Sequence, residues 1–410
     1  MYDPTLHTKT LARQIRKSDF EPGPLQIQIA QKAVVLDTAV LIAANGFQSV
    51  ALRKANVAGR DVFQQSSLPE ALITRHISEN IRRVTKVKQS DRQSIVRCIR
   101  SLLAEGTAFN ILKLDIRSFY ESINIDDIVE SLSNDPAFSR QSIALLSSLF
   151  DAFRQQGIVG LPRGLELSAT LAEYALRDFD RSTSLKQGVR FYSRYVDDIF
   201  IMLEPTKDVD DLIYELKQML PNGLEFRRSK TKICRFSRLI TKSPQNEDDF
   251  SFLGYNIKVS KIFRVENALR REVSLDIAAG KVKKIKRRIA LALLDFNAGG
   301  SYADLHDRIK VLTSNYEFFD GQTGARRLAG LRYNYSLINA KKSRSLTSLD
   351  HYLYNALFSR NPKNRLRPQL TVPQRRQLWG YSFKSGFRDN RFFAYNQNRL
   401  HQITRCWSHA

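Results

Sequence analysis

The stretch "SRYVDDIFIML", Ser193 to Leu203, places two adjacent aspartates between two apolar runs. In a strand, neighbouring side chains point to opposite faces, and carboxylates placed so close together repel each other. The runs "VRFYSRY" and "IFIML" are typical of strands, so the segment predicts a β-hairpin with Asp197 and Asp198 at or near its tip. Aspartate is common in turns without any function. A carboxylate pair so close to apolar strands nevertheless lies near the core, where a divalent cation offsets the repulsion directly.

A third carboxylate lies upstream, in "ILKLDIRSFYESI" (Ile111–Ile123), where Asp115 ends an apolar strand. If this strand and the hairpin are neighbours, Asp115 and Asp197 converge and can bind paired Mg²⁺ ions about 3.5–4 Å apart. Taken alone, Asp115 could equally well cap a helix. The combination of the two segments is much more specific than either part.

With "YVDD" (Tyr195–Asp198) as motif C, the chain resembles reverse transcriptases at five motifs, in the order of that family. The other four are "LDIRSFYESI" (Leu114–Ile123) as motif A, "GIVGLPRGLELSATLAEYAL" (Gly157–Leu176) as motif B, "LEFRRSKTKI" (Leu224–Ile233) as motif D and "FSFLGYNI" (Phe250–Ile257) as motif E, the primer grip. The resemblance covers about Arg82 to Val259. A lone YxDD is weak, but five motifs in order are a specific signal.

The resemblance implies an α+β, right-hand polymerase with fingers, a palm of antiparallel sheet plus helices, a helical thumb and a C-terminal extension. We expect fingers and palm in residues 1–260, the thumb in 261–345 and a basic, aromatic, RNA-binding extension in 346–410. The implied cofactor is a pair of Mg²⁺ ions, or Mn²⁺ in their place. The implied catalytic residues are Asp115, Asp197, Asp198 and Lys230, the implied metal-binding positions are Asp115, Ile116, Asp197 and Asp198, and the implied primer grip is Phe252, Leu253, Gly254 and Tyr255.

Several residues are implied to bind the incoming nucleotide. Tyr120, five residues after Asp115, takes the position that lies under the sugar and blocks a ribose 2′-hydroxyl, although it could also be an ordinary core aromatic. Arg163 stands where many relatives carry glutamine, and an arginine there could grip a phosphate. Lys230 matches the motif D lysine, a proton donor to pyrophosphate, or is a solvated strand lysine.

The basic segment "ENIRRVTKVKQSDRQSIVR" upstream of motif A is a candidate for the fingers. Within it, Arg82, Lys88 and Arg92 are candidates for contacts to the triphosphate. Any of them could instead contact only the template backbone, because most contacts of basic residues with nucleic acids go to phosphates without reading sequence.

The net charge of +24 is concentrated in one part of the chain. Residues 261–410 contain 29 Lys and Arg against 10 Asp and Glu, so this part carries +19 and the first 260 residues only +5. Such an imbalance favours a polyanionic partner, nucleic acid before membrane. The alternative is a basic tail that only aids solubility.

Two parts of this basic region are candidates for nucleic-acid binding. In "KVKKIKRRIALALLDF" (Lys281–Phe296) apolar residues share one helical face and cations the other, as expected of a thumb helix along a duplex. After the expected linker "NPKNRLRP", arginines alternate with aromatics, as in a single-strand RNA binder or a small core closed against the thumb. The predicted nucleic-acid-binding residues are Lys283, Lys284, Arg287, Arg375, Arg376, Trp379, Arg388 and Arg391.

Composition favours a cytoplasmic protein without membrane contact, and the resemblance to reverse transcriptases implies a bacterial one. No apolar run is long enough to span a bilayer, and "MYDPTLHTKTLARQIRKSDF" lacks the apolar core of a secretory signal. Three widely spaced cysteines, Cys98, Cys234 and Cys406, show no zinc-ligand spacing and favour a reducing compartment.

The form "DIRSFYESI", the short palm and the extra C-terminal segment look most like bacterial abortive-infection and unknown-group reverse transcriptases, which act in antiphage defence. The implied partners are an RNA template or noncoding RNA, the cDNA product, dNTPs, and a partner defence protein or a second copy of the chain. Retron, group II intron-like, and protein-primed or template-independent polymerases remain alternatives. A metal-dependent nuclease and an inactive RNA-binding module are the alternatives from other classes.

Overall fold

The structure of the chain, a computed structural model, describes residues 3–21, 23–57, 59–320, 325–359 and 366–407. Of the predicted linker, residues 361–365 lie outside the described residues. The chain divides into two compact units. The first comprises the described residues within 1–91, 108–236 and 321–325, and the second comprises those within 92–107, 237–320 and 326–410. The predicted functional domain boundaries after residues 260 and 345 stay predictions.

The helices in chain order are α1 (Thr8–Ala12), α2 (Lys32–Asn45), α3 (Leu68–Thr85), α4 (Arg92–Leu103), α5 (Phe119–Ser122), α6 (Ile125–Ser133), α7 (Arg140–Gln155), α8 (Glu166–Ser184), α9 (Val209–Met219), α10 (Ala279–Asn297), α11 (Tyr302–Thr313), α12 (Leu331–Asn334), α13 (Arg344–Phe358), α14 (Val372–Trp379), α15 (Phe383–Arg388) and α16 (Gln397–Thr404). The strands are β1 (Leu52–Val57), β2 (Arg60–Gln65), β3 (Phe109–Asp115), β4 (Val189–Tyr195), β5 (Asp198–Leu203), β6 (Lys232–Phe236), β7 (Ile240–Thr241), β8 (Asn246–Phe252), β9 (Tyr255–Ser260), β10 (Ile262–Val265), β11 (Ala268–Arg270), β12 (Val273–Ile277), β13 (Asn315–Asp320), β14 (Ala325–Gly330) and β15 (Phe392–Ala394).

The first unit is built on a four-stranded antiparallel sheet in the order β4-β5-β3-β6. The central strands β3 and β5 are buried along almost their whole length, which explains why their sequences read as continuous apolar runs rather than as alternating ones. Each strand has an aspartate at the same end of the sheet: Asp115 is the last residue of β3 and Asp198 the first of β5. The predicted strands and the predicted hairpin are therefore confirmed.

Helices cover this sheet and share its core. α8 packs against α3 and β4, and the apolar side chains of α3, α7 and α8 join those of β3 and β5 in one cluster. Between α3 and α8, the Ser78 and Thr170 hydroxyls form a buried hydrogen bond of 2.7 Å. The sequences "SIALLSSLFDAFRQQ" (Ser142–Gln156) and "LSATLAEYALRDFDRS" (Leu167–Ser182) have patterns that predict helices. These helices are α7 and α8, whose ends differ from the predicted ones by two residues or fewer.

The second unit combines three small sheets with helices. Its sheets have the orders β11-β10-β7, β12-β9-β8 and β14-β13-β15. The predicted helix at Lys281–Phe296 is confirmed as α10, with Ile289 and Leu293 buried. After Val265 the sequence predicts long helices, but strands β11 and β12 precede the first of them. The reason is that "NALRREVSLDI" contains strand-forming residues that pair with the preceding strands.

The C-terminal segment is integrated into this second unit. Strand β15 pairs in parallel with β13. Phe383 and Phe387 of α15 are buried, and Gly386 lies so close to the carbonyl of Thr313 that a Cβ there would be 1.8 Å from its oxygen. Part of the alternating aromatic pattern therefore forms a small core, which was one of the two interpretations of the sequence. Trp379 and Phe392 of the same pattern remain exposed.

Two expectations about the chain as a whole can be compared with the structure. Among the described residues no helix is both long and apolar enough to cross a membrane. The three cysteines are free thiols, of which Cys234 is buried, Cys98 exposed and Cys406 half-buried.

Candidate active site

Asp115 and Asp198 lie directly opposite each other at the edge of the first unit's sheet. They form the last register pair between β3 and β5, which are antiparallel, so the end of one strand meets the start of the other. Asp197 precedes β5 in the hairpin turn, and its carbonyl accepts a hydrogen bond of 3.0 Å from the backbone N–H of Ile116. The sheet thus brings together three of the predicted metal-binding positions and the backbone of the fourth.

The hairpin turn consists of Val196 and Asp197, because Tyr195 pairs with Asp198 across it. Val196 has φ +58°, a left-handed conformation in which a β-branched side chain is a rare outlier. Such backbone strain costs about 1–3 kcal/mol and persists only where the surroundings impose it. The turn that carries the aspartates is therefore held in place by neighbouring groups.

Arg194 is one of the groups that support this turn, and the sequence analysis did not single it out. Its side chain is 3 % exposed and lies between Glu173 and Asp180 of α8, each within 2.7 Å of Nη2. Nη1 also donates a hydrogen bond of 3.0 Å to the carbonyl of Val196. Burial lowers the pKa of this guanidinium, but Asp180 and Glu173 more than offset that effect and raise it above its usual value. Glu173 and Asp180 are seven residues apart and therefore share a face of α8, but the sequence does not show that this face meets Arg194.

The carboxylates create an unbalanced negative charge. Burial, followed by the nearby Asp197 and Asp115 carboxylates, raises the pKa of Asp198 to about 6. Asp115 is 2 % exposed, and its Oδ1 lacks a hydrogen-bond donor. The Nε of Arg227 lies 3.3 Å from that oxygen, close enough for an ion pair but without hydrogen-bond geometry. A buried carboxylate oxygen without a donor is costly unless a cation approaches it.

Lys230 supplies part of the missing charge. Its Nζ lies 2.5 Å from Oδ2 of Asp115, although the side chain is half exposed. The residue is in a 3-10 turn, Arg228–Lys230, and strand β6 begins only after it, so Lys230 is not the solvated strand lysine of the alternative interpretation. Backbone hydrogen bonding fixes this turn, since the N–H of Arg227 donates to the carbonyl of Asp115 at 2.7 Å.

These residues fit a divalent cation in charge and chemistry. Hard cations such as Mg²⁺ take oxygen ligands, and the site offers three carboxylates, one of them with a buried oxygen that has no donor. Among the described residues no three His, Cys, Asp or Glu side chains are already gathered as a metal-binding group. The ammonium of Lys230 is instead the cation nearest to Asp115.

Tyr120 and Arg163 are brought together beside the aspartates. The guanidinium of Arg163 lies 5.0 Å from the ring centroid of Tyr120 and pairs with Glu121 at 3.1 Å. Burial raises the pKa of Tyr120, as do the charges of Glu173 and Asp197. The side chain of Arg163 is thus fixed by its contacts with the Tyr120 ring and the Glu121 carboxylate. Its backbone is fixed as well, because the Arg163 carbonyl accepts a hydrogen bond of 2.7 Å from the N–H of Phe63 in β2.

The three upstream cations lie in different surroundings. Arg82 in α3 pairs with Glu166 at 2.9 Å, and Lys88 is exposed in the segment after α3. Arg92 belongs to the second unit, where its guanidinium donates to the carbonyls of Leu253 and Asn334 and lies 5.3 Å from the ring centroid of Tyr255. The structure therefore groups Arg92 with the predicted primer grip rather than with the other two.

The predicted primer grip is the turn of the β8–β9 hairpin. Phe252 pairs with Tyr255, and the two residues between them, Leu253 and Gly254, have φ +46° and +81°. Positive φ at both positions is typical of the two-residue turns that match the twist of a hairpin. Leu253 is strained there, and the two hydrogen bonds from Arg92 to its carbonyl stabilise the conformation.

The predicted nucleic-acid-binding residues all belong to the second unit. In α10, Lys283, Lys284 and Arg287 are exposed, and burial together with Arg288 and other neighbouring cations lowers the pKa of Lys284. Trp379 is exposed at the end of α14, on which Arg375 is half-buried and Arg376 exposed. Arg388 pairs with Asp389, whereas Arg391 donates to the carbonyl of Gly380 at 2.9 Å.

Comparison with known families agrees with this geometry. Residues 68–257, just under half of the chain, match the family model described as reverse transcriptase (RNA-dependent DNA polymerase). This segment is a reverse transcriptase domain. No curated protein shows significant similarity to the chain.

The matched range contains all five motifs that the sequence analysis identified. The reverse transcriptase domain begins at the first residue of α3 and ends in β9, two residues beyond the predicted primer grip. A domain of this family implies a right-hand polymerase fold and RNA-directed DNA polymerase activity, and reverse transcriptases generally use divalent metal ions. The predicted reverse transcriptase domain is confirmed for residues 68–257, whereas its assignment to the defence-associated group stays a prediction. The roles of individual residues stay predictions.

Proposed function

We propose that the chain copies RNA into DNA by nucleotidyl transfer at the Asp115–Asp197–Asp198 cluster. One observation carries this proposal: Asp115 and Asp198 are register partners on adjacent strands, and an oxygen of Asp115 is buried without a donor. Three neighbouring carboxylates, of which Asp115 is buried and Asp197 and Asp198 are half-buried, destabilise the fold unless a cation is bound. Their presence at the edge of the sheet in a reverse transcriptase domain therefore supports catalysis.

Asp115, the backbone of Ile116, Asp197 and Asp198 would hold two Mg²⁺ ions, or Mn²⁺ in their place. When bound, these ions would lower the pKa of the primer 3′-hydroxyl and neutralise charge on the triphosphate. Arg194 acts only through Val196, by fixing the turn that presents Asp197 and Asp198. The protein otherwise contributes positioning, as in other phosphoryl transfers.

Lys230 would donate a proton to the departing pyrophosphate. Its flexible, half-exposed side chain already lies at the cluster, 2.5 Å from Asp115. An ammonium so placed can exchange one anionic partner for another without a backbone movement. The position of Lys230 therefore supports proton donation to pyrophosphate at the carboxylate cluster.

Tyr120 would select deoxynucleotides by excluding a ribose 2′-hydroxyl. The ring is fixed from both sides, since Phe119 lies 5.2 Å from it edge-on and Arg163 lies 5.0 Å from its centroid. A ring that cannot rotate away provides a reliable steric block. Arg163 therefore acts through Tyr120, and a contact of its own with the nucleotide is secondary.

We further propose that the biological role is bacterial antiviral defence, with a noncoding RNA as template or cofactor. The support is the "DIRSFYESI" form of motif A and the basic residues that follow the reverse transcriptase domain. A phage plaque assay with Asp197→Ala tests this role. Equal protection by the variant and the parent protein would contradict a defence role that depends on synthesis.

The polymerase proposal is tested by dNTP incorporation on an RNA template with a DNA primer. Asp197→Ala should reduce the rate on the order of a thousandfold or more, because it removes a ligand that acts in the transition state. Asp208→Ala is the matched control, since Asp208 is an exposed helix cap outside the cluster. Full incorporation by folded Asp197→Ala protein would overturn the proposal, and cleavage of labelled DNA without dNTPs would indicate a nuclease instead.

A further inference from the structure

We propose that an exposed face of α13, with Lys286 of α10 and Trp379 of α14, binds a single strand of nucleic acid. The phosphates lie in a basic cavity along α13, and an unpaired base stacks on an aromatic cluster at its far end. This inference deepens the proposed function and rests on it, since it assigns a second nucleic-acid contact of the same protein. All the residues concerned belong to the second unit.

The basic cavity has a volume of about 600 Å³ and lies along α13 and the residues just before it. Four of its lining residues are always cationic: Lys286, Lys341, Lys342 and Arg344. The other lining side chains are hydroxyls, an imidazole and an amide, and no carboxylate of the described chain lines it. A concave surface with this composition concentrates anions.

The charges of this cavity are only partly neutralised within the protein. Lys342 pairs with Glu272 at 3.3 Å, while the ammonium of Lys286 donates to Ser348 at 2.9 Å and lies 5.4 Å from the Tyr352 ring centroid. In the described part of the chain, neither Lys341 nor Arg344 has a carboxylate partner. Cations gathered without counter-charges repel one another, and a polyanion removes that repulsion.

The cavity follows a helix face that continues to the aromatic cluster. Arg344, Ser348, His351 and Asn355 recur at spacings of three and four residues, so they form one stripe along α13. The same broad face ends at Phe358. At 1.5 Å per residue the face is about 20 Å long, enough for a strand of about four nucleotides, which is the short end of the range for single-strand binders.

The aromatic cluster consists of Tyr354, Phe358 and Trp379. The indole ring lies 5.2 Å from each of the other two rings, edge-on to Tyr354 and tilted to Phe358. Trp379 is nevertheless 62 % exposed and Tyr354 48 % exposed. The other tryptophan, Trp407, is 6 % exposed and donates to the carbonyl of Arg288 at 2.9 Å, as a core tryptophan does.

The combination favours a single strand over a duplex or a protein. Basic residues contact the phosphates of any nucleic acid, but a base offers its face for stacking only when it is unpaired. A protein surface that docks on exposed aromatics does not require unneutralised cations beside them. Because the cavity and the cluster adjoin on one helix, we assign both to one strand.

The test is the affinity of the full chain for a fluorescein-labelled eight-nucleotide oligothymidylate, measured by anisotropy at several salt concentrations. Trp379→Ala should weaken binding on the order of tenfold and Trp379→Phe much less, since a phenyl ring still stacks. Lys341→Ala with Arg344→Ala should also weaken it and reduce the salt slope by about 1.4, the value for two lost phosphate contacts on a single strand. Lys242→Ala with Arg264→Ala is the control of equal charge change, because both residues are exposed and neither lines the cavity.

Parent-like affinity of folded Trp379→Ala and of the cavity variant would overturn the inference and leave the surface to a protein partner. Competition by a blunt duplex as strong as by the oligothymidylate would also overturn it. DNA synthesis on a preformed primer–template distinguishes the two proposals. If the single-strand site is wrong but the polymerase is right, Asp197→Ala is the only one of these variants that loses DNA synthesis. If the polymerase is wrong, only Trp379→Ala and the cavity variant lose oligothymidylate binding.

Discussion

The guanidinium of Arg194 donates a hydrogen bond of 3.0 Å to the carbonyl of Val196, the residue with a left-handed backbone directly before the paired aspartates. All five N–H groups of this arginine are engaged, four of them by Glu173 and Asp180. The hairpin that carries two of the three carboxylates is thus fastened to α8. We infer that Arg194 positions the aspartates without contacting a substrate.

Arg194→Lys should keep the buried charge but lose the hydrogen bond to Val196, and the turnover number should fall on the order of a hundredfold while KM changes little. Val196→Gly should restore much of that loss in the double variant, because glycine adopts positive φ without strain. Single-turnover incorporation and Tm measure both effects. If Val196→Gly does not restore activity, Arg194 contributes to stability alone.

The raised pKa of Asp198 predicts how the metal-free protein responds to pH. Because the folded-state pKa of about 6 exceeds the ordinary value of 3.8, the native state binds this proton more tightly than the unfolded chain does. This contribution to stability is present below about pH 4 and is lost as the pH rises through 6. Its size is at most about 3 kcal/mol.

Denaturant unfolding in EDTA at pH 4.5 and 7.5 measures this effect. Asp198→Asn should lose less stability than the parent protein between the two pH values, because its side chain does not ionise. Mg²⁺ at pH 7.5 should stabilise the parent and not the variant. Identical pH dependence of the two proteins would mean that the Asp198 carboxyl is not under this repulsion.

Lys230→Ala should separate metal competition from proton donation. The ammonium of Lys230 competes with a cation for Asp115, so its removal should lower the Mg²⁺ concentration that gives half-maximal activity. The maximal rate should fall about tenfold to a hundredfold through the loss of a proton donor. Arg228→Ala, in the same 3-10 turn, is the control, and parallel changes in both variants would assign the effect to the turn itself.

Tyr120→Val should admit ribonucleotides more readily, whereas Tyr120→Phe should retain the discrimination, because the ring and not the hydroxyl provides the block. The ratio of rNTP to dNTP incorporation measures the effect, which should be about tenfold to a hundredfold. Arg163→Gln should shift the ratio less than Tyr120→Val, since it removes only a support of the ring. An unchanged ratio in Tyr120→Val would make Tyr120 a core aromatic.

The sequence sufficed for the elements whose pattern is local. The apolar runs around Asp115 and Asp198 and the amphipathic patterns of α7, α8 and α10 each determine one strand or helix, and all were predicted within a few residues. The adjacency of β3 and β5 was an assumption that the register confirms. Neither strand alone indicates which other strand lies beside it.

The contacts between distant residues could not be predicted in the same way. Nothing local to Arg194 shows that its partners are Glu173 and Asp180, because helix and strand meet only in the folded sheet. The burial of aromatic side chains in the C-terminal segment was equally unpredictable from local sequence. Phe383 and Trp379 occur in the same alternating pattern, yet one is buried and the other exposed. Phe383 lies in α15, which packs against both α11 and α13, whereas Trp379 lies at the end of α14 and contacts the rings of Tyr354 and Phe358 of α13.

Helix α4 belongs to the second unit although it is flanked in sequence by segments of the first. Its apolar side chains, Ile95, Val96, Ile99 and Leu103, are buried in the finished protein. The segment that contains α4 ends at residue 107, and the second unit resumes 130 residues later, at Ser237. During synthesis, α4 is therefore made well before the rest of its unit. At a synthesis rate of about 5–20 residues per second, on the order of ten seconds pass between synthesis of α4 and synthesis of the rest of the second unit. During that interval the apolar stripe of α4 is a natural site for a chaperone.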